Sequence, residues 1–272
     1  MEGGVDVAAP VEEAGPEGRP TAFVQSLERG LAVIRAFDAE HPQLTLSDVA
    51  RQTGLTRAAA RRFLHTLVEL GYVRSDGRLF SLRPRVLELG YAYLSGLSLP
   101  EVAQPHMEQL VARVGESCSI SVLDGEDVVY VARVSTKRIM TVSISVGTRF
   151  PAYATSMGRV LLAAQPAAAR AEYLRTVRLT PLTPFTITDP AYLAVTLDGV
   201  AEQGYALLDQ ELEEGLRSIA VPIRDRDGAV VAAINISASA RRSTPTAIRT
   251  DLLPPLLETA GEIELDLRRG PA

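Results

Sequence analysis

Arginines cluster on one predicted helix in the first third of the chain. Over residues 57–69 the apolar residues fall on one helix face, whereas Arg57, Arg61 and Arg62 fall on the opposite face beside small alanines. Such a cationic face suits the major groove of DNA, where arginine pairs bidentately with guanine or holds phosphates. The spacing therefore predicts a DNA-reading helix.

The flanking residues supply the other parts of a winged helix-turn-helix. A helix over 26–39 ends before Pro42, a second helix is capped by Thr45 and stops at Gly54, and Thr56 caps the reading helix. An Asp-Gly pair at 76–77 predicts a two-stranded wing with Arg78 at its tip. The candidate DNA-binding residues are Thr45, Ser47, Thr56, Arg57, Ala58, Arg61, Arg62, His65 and Arg78.

The distribution of charge supports a DNA-binding domain in this segment but does not exclude a different small domain. Residues 21–83 carry nine arginines against six acidic residues, although the whole chain has a net charge of -5. Only this segment is therefore suited to binding phosphates. Three helices and a hairpin also fit another small domain with solvated arginines, and His65 fits a phosphate contact, a base contact or an exposed residue.

A later segment suits a small anion. Thr155 or Ser156 caps a helix whose first amides point at whatever lies before the helix, Gly158 permits close approach, and these amides with Arg149 can meet a carboxylate. The same residues also fit an ordinary capped helix packed on a sheet. Polar residues in otherwise apolar strands need partners from the protein or from a ligand; these are Ser218, Asn235 and Ser237.

The sequence offers little for catalysis. From Glu116 onward there is no histidine, and Cys118 is the single cysteine, which leaves no histidine base, no Cys–His pair and no usual zinc ligands there. The acidic run from Asp209 through Glu211 to residue 214 is more typical of a solvated strand end than of a metal site. We expect no catalytic residue, no metal and no cofactor.

Length and composition indicate an ordinary globular protein in several parts. Hydrophobic residues make up 46% of the 272, and the longest uncharged run, 228–240, is too short to span a bilayer. The acidic start is unlike a signal peptide, so we expect a cytoplasmic protein. We predict a disordered acidic tail (1–22), a winged helix-turn-helix domain (23–84), a linker helix (85–98) and an effector domain (99–268).

The effector domain is predicted to be α+β with an antiparallel sheet, because strand runs joined by Asp-Gly turns are interrupted by helices. Strands are expected over 119–123, 128–134, 140–146, 206–209, 218–223 and 230–237. Helices are expected over 100–114, 156–164, 168–176, 191–203 and 245–267.

Several motifs resemble those of the IclR family of bacterial transcriptional regulators. They occupy residues 26–31, 44–50, 66–73, 154–159 and 209–218, and together cover nearly the whole chain after the tail. The resemblance implies an N-terminal winged helix-turn-helix, a linker helix and a GAF-like C-terminal domain that binds a small metabolite. It also implies homodimers or homotetramers on palindromic operators in double-stranded DNA.

Residues 150–163 resemble the subgroup that controls the β-ketoadipate pathway, whose effectors include protocatechuate, 4-hydroxybenzoate and β-ketoadipate. The resemblance implies that Ser156 and Met157 supply amides, that Asp209 and Ser218 line the pocket, and that two polar strand residues donate hydrogen bonds. Many relatives have cysteine where this chain has Ser218. The effector-binding candidates are Arg149, Thr155, Ser156, Met157, Gly158, Asp209, Glu211, Ser218, Asn235 and Ser237.

These observations lead to one hypothesis and two alternatives. We expect a sequence-specific transcriptional regulator that senses a small aromatic or keto carboxylate and changes its dimer geometry through residues 84–98. An enzyme that uses the C-terminal pocket would turn over the candidate acid. A sensor or adaptor that contacts only protein would bind no DNA.

Overall fold

The computed structural model describes residues 23–89, 99–136 and 144–269, which divide into two units. The first unit includes three α-helices that precede further helical residues over 84–89, and a three-stranded antiparallel sheet with strand order β1-β3-β2. Its elements are α1 (Gln25–Arg35), β1 (Leu44–Thr45), α2 (Leu46–Thr53), α3 (Arg57–Glu69), β2 (Val73–Ser75) and β3 (Leu79–Leu82).

Local capping sets the two helices of the helix-turn-helix. The Thr45 hydroxyl accepts the Asp48 N–H at 3.3 Å, and the Asp48 carboxylate accepts the Thr45 N–H at 3.2 Å, which completes a capping box. Gly54 ends α2 in the left-handed region with φ 68°, and the Thr56 hydroxyl accepts the Ala59 N–H at 3.2 Å to start α3. The predicted starts and stops are confirmed here.

The first helix is shorter than predicted. It ends at Arg35 rather than near residue 39, because Asp38 makes a competing turn. The Asp38 carboxylate accepts the N–H groups of Glu40 at 2.9 Å and His41 at 2.6 Å. A short acidic side chain bonded to its own backbone favours a turn over a continuing helix.

The second unit is an α+β domain around a six-stranded antiparallel sheet with strand order β6-β5-β4-β9-β8-β7, so the predicted fold class is confirmed. The strands are β4 (Ser117–Asp124), β5 (Asp127–Val134), β6 (Arg149–Pro151), β7 (Ala206–Asp209), β8 (Leu216–Arg224) and β9 (Val230–Ser239). The helices are α4 (Leu99–Val114), α5 (Ser156–Ala163), α6 (Ala167–Thr176), α7 (Pro190–Gln203), α8 (Pro245–Ala247) and α9 (Leu253–Arg269).

Some predicted elements lie outside the described residues, and one helix differs from its prediction. The strand expected over 140–146 and the linker helix expected over 85–98 lie largely outside the described residues, as does the acidic tail. The single terminal helix expected over 245–267 is interrupted by a π-helical turn at Ile248–Leu252. Pro254 and Pro255 follow that turn and lack an N–H, which accounts for the local widening.

The sheet buries both faces. One face packs against α4 and α9 and carries Cys118, whose thiol pKa is raised by burial. The opposite face, here called the inner face, packs against α5, and α6 and α7 add side chains to the same apolar cluster; this face carries Tyr130, Ala220 and Ala233. Among the described helices, none combines the length and apolar character needed to cross a membrane.

Gly158 lets α5 approach the preceding turn. A Cβ atom at this position would lie 2.1 Å from the backbone oxygen of Ala152, so Gly158→Ala forces the chain apart. We expect it to lower the free energy of unfolding by about 1–3 kcal/mol, measured by urea denaturation. Gly199→Ala in α7 is the matched control, because nothing lies within 4 Å of its added Cβ. Equal stability of the two variants would contradict this packing argument.

Candidate DNA interface and anion-binding site

A groove with basic walls lies between α3 and the wing formed by β2 and β3. Its basic side chains are Arg57, Arg61 and His65 from α3 and Arg78 from the wing turn. In the part of the chain that the structure describes, none of the four forms an ion pair. Their donors are therefore available to phosphates and base edges.

The burial of α3 explains why these side chains point outward. Ala60, Leu64 and Leu67 are buried against the rest of the unit, so the residues between them face solvent. Arg57 and Arg61 are one helical turn apart on this exposed face. The helix can thus enter a major groove with its arginines leading.

Asp76 holds the wing turn. Its carboxylate accepts the N–H groups of Leu79 at 2.7 Å and Arg78 at 2.9 Å, and these bonds keep the pKa of Asp76 below its ordinary value. Gly77 completes the turn with φ 96°. The turn is built from its own backbone and one carboxylate, which leaves the Arg78 side chain exposed.

The remaining predicted DNA-binding residues differ in position. Thr45 and Ser47 line the same groove from the start of α2. Thr56 is occupied as the cap of α3. Ala58 and Arg62 are exposed on α3 but do not line the groove. The structure therefore brings six of the predicted residues together at the groove: Thr45, Ser47, Arg57, Arg61, His65 and Arg78.

A second candidate site lies on the inner face of the six-stranded sheet. Ser119 of β4 lies opposite both Arg133 of β5 and Asn235 of β9. Asn235 also lies opposite Ala220, which belongs to the apolar cluster beneath α5. Because directly opposed residues of an antiparallel pair point to the same side, all three polar side chains share the inner face.

Hydrogen bonds join these side chains into what we call the polar row: Arg133, Ser119, Asn235 and Ser237. Arg133 Nη1 donates to Ser119 Oγ at 3.0 Å. Asn235 Oδ1 accepts the backbone N–H of Ser119 at 3.2 Å, and Asn235 Nδ2 donates to Ser237 Oγ at 3.2 Å. Arg133 is half-buried and the other three are buried, so the row reaches from the interior toward the surface.

Arg133 is a partly desolvated cation. Burial lowers the pKa of its guanidinium below the ordinary value. Within the described ranges it has no carboxylate partner. A cation that has lost part of its water without gaining a counter-ion is stabilised by a small anion.

The start of α5 adds donors on the same side of the sheet. The Thr155 hydroxyl accepts the Gly158 N–H at 3.0 Å, whereas the amides of Ser156 and Met157 have no partner among the described residues. The Ser156 hydroxyl is also buried without a partner there. Free amides at a helix start favour a negative group. Ser218 lies opposite Ser237 and is half-buried beside the polar row.

Two predicted effector residues are already paired inside the protein. Arg149 lies on β6 and donates to Asp124 at 2.5 Å and to Asp127 at 3.1 Å, and these carboxylates raise its pKa. Asp209 accepts from Arg217 Nε at 2.7 Å and Nη2 at 3.0 Å, which holds its pKa below the ordinary range. The structure does not support a direct effector contact for either side chain.

Glu211 and Gly158 have structural roles instead. Glu211 is buried, forms an ion pair with Arg159 and accepts the Ile187 N–H at 3.2 Å. The expectation of a solvated strand end is wrong for Glu211, because its carboxylate is the buried counter-ion of the desolvated Arg159. Gly158 makes its close approach to the backbone of Ala152 rather than to a ligand. The Met157 side chain is fully buried, which leaves only its amide for binding.

The sequence prediction missed Arg133 and Ser119. A signal existed, because Arg133 interrupts an otherwise apolar run over 128–134 at an inward position. Serines likewise alternate with apolar residues along β4. What the pattern alone lacks is the pairing that sets Ser119 between Arg133 and Asn235.

A winged helix-turn-helix unit, joined to a sheet domain whose inner face suits an anion, defines a ligand-responsive DNA-binding regulator. Residues 26–77 match the IclR helix-turn-helix domain, and residues 91–265 match the C-terminal domain described as bacterial transcriptional regulator IclR. The chain belongs to the IclR family. Members of this family are transcriptional regulators, so the prediction of a regulator rather than an enzyme is confirmed.

Individual relatives extend along most of the chain. The chain is 44% identical to the Pca regulon regulatory protein of Pseudomonas putida, over 94% of this chain and 89% of that protein. It is 38% identical to the p-hydroxybenzoate hydroxylase transcriptional activator of Acinetobacter baylyi, over 91% of this chain and 93% of that protein. An IclR homologue from Microbacterium hydrocarbonoxydans, solved with 4-hydroxybenzoate, has a TM-score of 0.80 at 30% identity, covering 90% of this chain and all of that one.

The groove predicts different roles for two neighbouring arginines. Arg61→Ala removes a groove side chain, and we expect affinity for DNA selected by the wild-type protein to fall by about 1–3 kcal/mol with relaxed base preference. Arg62→Ala, which lies outside the groove lining, is the control and should cost less, equally for selected and scrambled DNA. Fluorescence anisotropy at fixed salt measures both. A larger loss for Arg62→Ala would contradict the assignment.

The buried ion pair predicts a stability effect. Glu211→Gln leaves Arg159 charged and buried without a counter-ion, so we expect the free energy of unfolding to fall by about 3–5 kcal/mol. Glu214→Gln nearby is exposed and should change stability little. Chemical denaturation of both variants measures the difference. A Glu211→Gln protein as stable as the Glu214→Gln control would show that the pair contributes nothing.

Proposed function

We propose that the chain is a cytoplasmic transcriptional regulator whose C-terminal unit binds a small aromatic carboxylate, such as 4-hydroxybenzoate or protocatechuate, and whose N-terminal unit reads a palindromic operator as a homodimer or homotetramer. The effector changes the affinity for the operator. The single observation that carries the effector class is the set of donors on the inner face of the sheet.

The polar row offers donors without competing acceptors. The Ser119 hydroxyl oxygen accepts from Arg133, so its own proton remains free to donate. The Ser237 hydroxyl oxygen accepts from Asn235, so its proton is likewise free to donate. With the Arg133 guanidinium and the amides of the α5 start, these groups favour a ligand that only accepts hydrogen bonds, as a carboxylate does.

Apolar side chains accompany the polar row. Tyr130, Ala220 and Ala233 form part of the apolar cluster on the same side of the sheet as the polar row. A ligand with a charged end and a flat apolar body matches such a site. The names of two relatives and the ligand of the Microbacterium structure, all concerned with 4-hydroxybenzoate or the Pca regulon, support the same effector class.

The groove supports the DNA partner and the assembly. One groove between α3 and the wing contacts about one half-site, so a symmetric pair of chains would read a palindrome. An effector can change operator affinity only if it binds the DNA-competent and DNA-incompetent states differently. The coupling therefore requires that effector binding at the inner-face site alter the relation between the two copies.

Isothermal titration of the full-length protein with 4-hydroxybenzoate and with protocatechuate tests this proposal. Arg133→Met removes the charge and keeps the volume, and we expect acid affinity to fall by about 10- to 100-fold, as for loss of a charged hydrogen bond. Arg149→Met is the matched control and should bind the acid like the wild type, because Arg149 is paired with Asp124 and Asp127.

The outcomes separate the parts of the proposal. Binding of neither acid by the wild type would overturn the effector class. Wild-type affinity in Arg133→Met would place the carboxylate elsewhere. Operator binding measured by anisotropy with and without acid then tests the coupling, and an unchanged operator affinity would contradict it.

A further inference from the structure

We propose that Asn235 is a positioning residue that sets the proton direction of Ser237 and thereby makes the site prefer a carboxylate to the matching neutral amide. This inference rests on the proposed effector class. It concerns a residue that acts through its neighbour, because both ends of the Asn235 side chain are bonded to the protein.

The orientation of the Asn235 amide is determined by chemistry. A backbone N–H can only donate, so the atom that faces the Ser119 N–H must be the amide oxygen. The amide nitrogen then faces Ser237 and must donate to it. A flipped amide would put two donors together at Ser119, which costs one buried hydrogen bond, although the Ser237 hydroxyl would still donate to the amide oxygen.

The proton of Ser237 is consequently directed away from Asn235. Asn235 is 3% exposed and Ser237 is 7% exposed, so water competes little for either group. Within the described residues the Ser237 hydroxyl has no other partner. Its proton therefore stays available to a bound acceptor, next to the half-buried Ser218.

A donor-only site discriminates between ligands of the same shape. A carboxylate presents two acceptors, and both are satisfied by donors. The matching carboxamide presents one acceptor and one NH2 group, and the NH2 group would face Ser237 or Arg133 without an acceptor. Sites built on buried hydrogen bonds reject such isosteres strongly, because an unpaired polar group is left behind.

Asn235→Asp is a shape-conserving way to reverse the polarity. One oxygen of the introduced carboxylate still accepts the Ser119 N–H, while the other now accepts the Ser237 hydroxyl proton. Ser237 is then turned around and presents an oxygen acceptor to the site. The acid should lose affinity and the amide should gain a partner for its NH2 group.

The experiment is isothermal titration of the full-length protein with 4-hydroxybenzoate and 4-hydroxybenzamide at pH 8, where the introduced carboxyl is more fully ionised. We expect Asn235→Asp to bind the acid about 100-fold more weakly and the amide about tenfold more tightly than the wild type. Charge repulsion alone weakens the acid but gives no gain for the amide. The double variant Asn235→Asp with Ser237→Ala should lack that gain, since it has no hydroxyl to reverse.

A single substitution and a spectroscopic signal keep the test decisive if Asn235→Asp does not fold. Ser237→Ala should weaken the acid about tenfold and leave the amide nearly unchanged. Asn235 is the only asparagine in the chain, so selective 15N-asparagine labelling gives one side-chain amide pair, which Ser237→Ala should shift. Two results would overturn the inference if the wild type binds the acid. One is a folded Asn235→Asp protein that binds 4-hydroxybenzamide no more tightly than the wild type does. The other is an Asn235 side-chain amide signal that Ser237→Ala does not shift. A wild type that binds neither compound would instead reject the proposed function.

Discussion

The buried ion pair between Arg159 and Glu211 holds the C-terminal site in place. Arg159 comes from α5 and also donates through Nε to the backbone oxygen of Tyr153 at 3.0 Å. Glu211 receives the Ile187 N–H, so one pair of charges joins the start of α5 to two separate loops. Because each desolvated charge requires the other, none of these segments can shift independently. The free amides at the start of α5 depend on that constraint.

The two candidate sites share one electrostatic arrangement. In each, basic groups are held in place by neutral parts of the chain and are left without a carboxylate among the described residues. In the first unit the burial of Leu64 and its neighbours turns Arg57 and Arg61 outward. In the second, the Ser119 hydroxyl holds Arg133. Elsewhere arginines such as Arg217 form ion pairs, which distinguishes them from the arginines of the two candidate sites.

How far the structure follows from the sequence depends on the range of the interaction. The Thr45 capping box and the turn at Asp76 are encoded within four residues, and the sequence predicts both. The burial of Glu211 depends on a partner 52 residues away, and the polar row depends on a contact spanning 116 residues. Local patterns reveal that a polar residue in a strand needs a partner, but only the strand pairing shows that Arg133 shares a face with Asn235.

The edges of the six-stranded sheet limit how copies of the chain can associate. Among the strands that the structure describes, the outermost are β6, with three residues, and β7, with four. Pro151 in β6 has no N–H to offer, and Arg149 beside it is exposed and charged. Short, charged edges of this kind resist the addition of another strand. Pairing of copies through these two strand edges is therefore disfavoured, and helical or loop surfaces are better suited to contacts between copies.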